Sequence, residues 1–86
     1  MTGTTRSGFN FDVPDSIIDN MELFEALCDL DGGDERAIVP VCRLILGKNK
    51  KALYDHLRGA DGIVPVTKVV DEVADILAAV KDGKKS

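Results

Sequence analysis

Glycines at 32 and 33, 47, 59 and 62 interrupt a chain whose apolar residues otherwise recur every three or four positions between residues 20 and 80. That combination favours short helices joined by tight turns. The first helix is the best marked: Asp19 and Glu22 stand at capping-box spacing, and Ile18 and Leu23 at the positions of a hydrophobic staple. It is expected to start at Asn20 and stop at Gly32-Gly33. Met21, Leu23, Phe24, Leu27, Cys28 and Leu30 would form its apolar side, and Glu22, Glu25 and Asp29 the opposite one.

A second helix is expected from Asp34 or Glu35 to Leu46, apolar nearly all round and ended by Gly47. Pro40 lies inside it, so either the helix bends there or its regular part begins later. A third, from about Lys50 to Arg58, would take Asn49 as its cap and turn Leu53 and Leu57 inward. The fourth opens with Pro65 at its first position and continues to about Val80. On it Val66, Val69, Val70, Val73, Ile76, Leu77 and Val80 fall on one arc. The fold class implied is all-α: a compact bundle of about four short helices in a single domain spanning 14–80. Residues 1–13, with Phe9, Phe11 and Val13 alternating among Gly, Ser and Thr, read as a flexible or extended arm, a short strand being the alternative, and 81–86 as a flexible tail.

At 86 residues only about 60–65% of the unfolded surface can be hidden, so there is room for one core. With no Trp and three Phe, aliphatic side chains do most of the packing. No basic segment followed by an apolar run opens the sequence, and no stretch nears the roughly 20 apolar residues of a membrane span. The expected location is therefore cytoplasmic. Cys28 and Cys42 lack metal-ligand spacing and read as reduced thiols of the core.

The net charge of -4 is unevenly laid out. Residues 12–35 hold nine acids (Asp12, Asp15, Asp19, Glu22, Glu25, Asp29, Asp31, Asp34, Glu35) and no base, whereas residues 36–86 hold ten bases and six acids. The acidic side of the first helix thus lacks the local i to i+4 partners of most exposed helices. It reads either as a solvated face or as a surface that attracts a basic partner or a second copy.

Candidate chemistry is sparse. Asp29, Asp31 and Asp34 resemble part of a calcium loop, but position 5, counted from Asp29, is Gly33 and position 12 is Pro40, where the loop needs an oxygen ligand and Glu. His56 is the sole histidine and has no thiol or carboxylate at a catalytic spacing. Lys48, Lys50 and Lys51 lack the aromatic or arginine interleaving of a nucleic-acid surface. No catalytic residue, cofactor, metal, nucleic acid or membrane is expected. Asp15-Ser16-Ile17 resembles the phosphopantetheine attachment triplet of acyl carrier proteins, yet too few residues precede it for that family's first helix.

From Asp12 to about Val80 the order of features resembles small tail assembly chaperones of long-tailed phages and prophages. The similarity rests on Gly8-Phe9-Asn10-Phe11, Asp19-Asn20-Met21-Glu22-Leu23, Leu44-Ile45-Leu46-Gly47, and Lys51 to Arg58 followed by Asp61-Gly62-Ile63-Val64-Pro65. The resemblance implies a bacterial host-cell protein, absent from the mature virion. It would keep the tape measure protein soluble while tail tube subunits assemble, with self-association also open. Apolar and acidic contact residues would then be Phe9, Phe11, Val66, Val69, Val73, Ile76 and Val80 together with Glu22, Glu25 and Asp29; the alternative is an acidic carrier or regulatory adaptor with another partner.

Overall fold

The computed structural model describes residues 1–85, with side-chain surroundings for residues 1–82. The alternation at the start of the chain produces a small antiparallel hairpin. Strand β1 (Thr2–Thr4) lies beside β2 (Asn10–Asp12), with Gly3 opposite Phe11. Its loop closes through Thr5 N donating to Phe9 O at 2.9 Å and Gly8 N donating to Thr5 O at 3.0 Å, with Gly8 at φ 92°. The Met1 ammonium donates to Val13 O at 2.6 Å and pairs with Asp15 at 3.0 Å. Phe9, Phe11 and Val13 are all buried in the same core as the helices. Of the readings open for 1–13, a flexible or extended arm or a short strand, the structure shows strands in a docked hairpin, because apolar residues at period two have a helical surface to cover.

A 3-10 turn, Asp15–Asp19, places Ile17 in the core and leads into α1 (Met21–Asp31). The residue before the helix is Asn20, one position later than the capping box implied. Its Oδ1 accepts from Glu22 N at 2.9 Å and Leu23 N at 3.3 Å, occupying two amides that the first turn leaves without carbonyl partners. Gly33, at φ 104°, turns the chain out of the helix, and Asp34 N then donates to Asp29 O at 3.0 Å.

The Pro40 question resolves in favour of a late start. A 3-10 turn, Glu35–Ala37, capped by Asp34, precedes α2 (Ile38–Leu46), so Pro40 falls in the first α-helical turn, where its missing N–H interrupts no i to i−4 bond of α2. A further 3-10 turn, Gly47–Asn49, connects directly to α3 (Lys50–Leu57). Asn49 is already in helical conformation, φ −78° and ψ −4°, and its side chain makes no capping bond, contrary to expectation. The following loop is held by Gly59 N to Ile63 O at 2.9 Å and Arg58 Nη1 to Gly62 O at 2.9 Å.

Helix α4 runs from Val66 to Lys85, and Pro65 accepts from Val69 N through its carbonyl just ahead of it. It continues past Val80 through most of the segment expected as a tail; Ser86 lies outside the described residues. The molecule is a small, mainly helical bundle in which α1 packs chiefly on α2, whereas α4 takes its contacts from α3, α2, β1 and the first 3-10 turn. Val69, Val73, Ile76 and Val80 of α4 meet Leu23, Val41, Cys42, Ile45 and Leu53 in one cluster with the hairpin aromatics.

The hairpin fits closely at Gly3, where a Cβ would lie 2.6 Å from Phe11 Cζ. Because the Phe11 ring is buried, it has little room to swing aside. Gly3→Ala is expected to lower stability by about 1–3 kcal/mol in urea unfolding, the range for overpacking; an unchanged midpoint would show that the ring is not held.

Candidate functional site

The structure separates the residues expected to meet a partner. Glu22, Glu25 and Asp29 are exposed along α1. Phe9, Phe11, Val69, Val73, Ile76 and Val80 are not available: each is buried, since the hairpin, α2 and α3 cover the apolar arc of α4. Of that arc Val66 remains open at 53% exposure, joined on α1 by Met21 at 63% and Phe24 at 59%.

Phe24 and Val66 belong to one feature. Helices α1 and α4 run antiparallel along a seam that their side chains do not close. At one end, Phe24, Leu27, Cys28 and Leu30 of α1 face Val66 and Val70 of α4, with Asp31, Glu35 and Asp71 at the margin. At the other end, Phe24 and Leu27 face Leu77, beside Ile18 and Leu23 and next to Lys81. Phe24 and Leu27 line both depressions, so the two adjoin at these side chains and together form one apolar groove. Among the described residues, no Lys, Arg or His lines its first half. The periodicity of α1 already marked Phe24, Leu27 and Leu30 as apolar; what the sequence did not reveal is that α4 would be occupied elsewhere and leave them half-covered.

A second feature had no sequence signal. The tip of the hairpin is held to α3 and α4 by Glu72, a carboxylate only 4% exposed. Glu72 Oε1 accepts from Thr5 Oγ1 at 2.9 Å and from the Ser7 hydroxyl. Thr5 Oγ1 accepts in turn from Phe9 N at 3.1 Å, and Asp75 accepts from Arg6 N at 3.1 Å. His56 completes the latch, its Nε2 lying 3.0 Å from Ser7 Oγ and 3.1 Å from the Ser7 carbonyl oxygen, with its ring tilted against Phe9 at 5.6 Å.

A serine, a histidine and a carboxylate thus converge, but their roles are not those of a nucleophilic triad. The Ser7 carbonyl can only accept, so the contact to it is a hydrogen bond in the tautomer whose Nε2 carries the proton. The Ser7 hydroxyl, which donates to Glu72, therefore meets a donor where an activated nucleophile needs a base, and Glu72 touches Ser7 rather than the imidazole. The arrangement fastens the hairpin.

The thiols occupy different surroundings. Cys28 is exposed at the groove, which corrects its assignment to the core, while Cys42 is fully buried. Burial pushes the Cys42 thiol above its ordinary 9.0, outweighing the opposing influence of its Tyr54 hydrogen bond and of Lys50. The Tyr54 hydroxyl is likewise raised, by burial first and then by Cys42. Lys50 Nζ sits 5.9 Å from the Tyr54 ring centre.

Among the described residues, no group of three or more His, Cys, Asp or Glu is placed to hold a metal ion, and no helix is long and apolar enough to cross a membrane. Ser16, at the carrier-like triplet, is exposed in the first 3-10 turn and follows a hairpin rather than a helix. Comparison with protein-family profiles, curated proteins and solved structures gives no match.

Three outcomes follow from these contacts. Glu72→Ala removes the shared acceptor of two hydroxyls and is expected to destabilise the fold by about 1–3 kcal/mol, with faster amide exchange at Phe9; Glu72→Gln, which keeps one carbonyl acceptor, loses less. In thiol titration near pH 8, Cys28 reacts readily and Cys42 only after denaturation. The sign for stability follows from the raised thiol. Its contribution is complete below the unfolded value of 9.0 and is lost as pH climbs through the higher folded value, a decline that Cys42→Ala removes.

Proposed function

We propose that this chain is a non-enzymatic protein-binding factor that holds a helical client, and that its role is that of the phage or prophage tail assembly chaperones its sequence resembles. The observation that carries the reading is the open groove between α1 and α4, in which Phe24 and Val66 remain more than half exposed. Isolated exposed apolar residues are ordinary, but a contiguous set arranged along a concave seam between two helices is the form in which helical segments are received. Its apolar lining carries Leu, Val, Cys and Phe side chains, which recognise shape and hydrophobicity rather than a particular functional group.

On this reading the client is the long, apolar tape measure protein, kept soluble in the bacterial cytoplasm until tail tube subunits enclose it; the chaperone is then left outside the mature virion. A carrier role for Ser16 has that residue's exposure in its favour, but a hairpin, not a helix, immediately precedes its 3-10 turn.

Co-expression supplies the test. The reading requires a tape measure protein encoded beside this chain, and that protein is expected to move from the insoluble to the soluble fraction when the chain is present. It should return to the insoluble fraction with Phe24→Asp/Val66→Asp, whose exposed positions leave the fold and its circular dichroism intact. A client equally insoluble with and without the wild-type chain overturns the proposal.

A further inference from the structure

We infer that the occupant of the α1/α4 groove is an amphipathic helix whose apolar stripe is flanked by Lys or Arg, and that the acidic end of the groove selects that charge. This rests on the protein-binding reading above and specifies the chemistry of the partner. Three observations support it independently of the groove's shape.

The first is an uncompensated field. Glu22, Glu25 and Asp29 along α1, and Asp31, Glu35 and Asp71 at the margin, make no ion pair within the chain among the described residues. Three carboxylates at the margin of the apolar seam, with three more on the outer side of α1, in a protein that elsewhere pairs Asp34, Asp55 and Asp75 with arginines, leave a potential that a basic partner would neutralise.

The second is polarity along the seam. The acids gather at the Val66 end, whereas the Leu77 end carries Lys81. A helix docked in the groove is thereby oriented, its basic residues beside Asp31, Glu35 and Asp71 and any acidic residue beside Lys81. The third is charge within the groove's own walls. A second copy docking through the same face would bring only one Lys81 for each set of Asp31, Glu35 and Asp71, which leaves a symmetric pair with excess negative charge and makes a basic helix the better-matched occupant. The 11 residues of α1 provide about 16 Å of length, close to three turns of such a helix.

The probe is a pair of fluorescein-labelled synthetic helices of about five turns. Both carry leucines at the same i, i+3, i+4 and i+7 positions, flanked by Lys in one and Glu in the other. Anisotropy with the full chain is expected to show saturable binding of the Lys helix and at least tenfold weaker binding of the Glu helix. Raising NaCl from about 0.05 M to about 0.5 M should narrow the difference. Asp31→Asn/Glu35→Gln/Asp71→Asn should weaken the Lys helix about tenfold while leaving the Glu helix no worse, and Phe24→Ser should weaken it independently of salt.

Equal binding of both helices overturns the charge selection. Undiminished binding of the Lys helix to Phe24→Ser overturns the groove as its seat. If neither helix binds while the co-expressed tape measure protein is still rendered soluble, this inference fails and the proposed function stands. If the Lys helix binds as described and the tape measure protein remains insoluble, the inference stands and the client was misassigned.

Discussion

The arrangement of this protein depends on what covers α4. Its apolar arc is the longest in the chain, and a bundle of this size has few elements to bury it. The hairpin supplies the missing layer: Phe9, Phe11 and Val13 enter the core beside Val41, Leu53 and Ile76. Buried aromatic rings of this kind contribute about 3–5 kcal/mol each against truncation, so the hairpin is part of the domain rather than an appendage. The polar latch at Glu72 fixes where it lands. A carboxylate this deeply placed is tolerated because two hydroxyls donate to it, and the same bonds determine the approach of the hairpin loop to α3 and α4.

The exposure of α1 follows from the same arrangement. With α4 engaged by the hairpin, α2 and α3, α1 rests mainly on α2 and turns Leu23 and Ala26 into the core. Phe24 is then left on the outer side of a seam that α4 borders without filling. The groove is thus a consequence of how the core was completed, and its acidic margin of the sequence's uneven charge layout.

Legibility in the sequence tracked the range of the interactions. Helices and their ends were readable because their causes are local: Gly33 and Gly47 leave their helices at positive φ, the Asn20 cap lies one residue from the predicted cap, and Pro40 admitted only a bend or a late start. The hairpin was half readable, since its alternation was visible but so short that nothing local distinguished a strand from an extended arm. What was not legible was long-range. Thr5 and Glu72 are separated by 67 positions, and no spacing rule links a threonine in a loop to a glutamate on a distant helix. Which part of the Val-rich arc would stay open was illegible for the same reason, because periodicity identifies an apolar face without saying which element covers it.

The charge layout shows why the groove need not be a defect of packing. Closing it by a nearer approach of α1 to α4 would bring Asp71 nearer to Asp31 and Glu35. Like charges crowded at the mouth of an apolar seam oppose its closure, and lose that opposition only when a positive group comes between them. A basic helix does both things at once: it brings the apolar surface that Phe24 and Val66 lack and the counter-charge that the margin lacks. Hydrophobic burial without the cation would desolvate unpaired carboxylates, and ion pairing without burial would be worth little at an exposed surface, so each contribution is effective because the other is present.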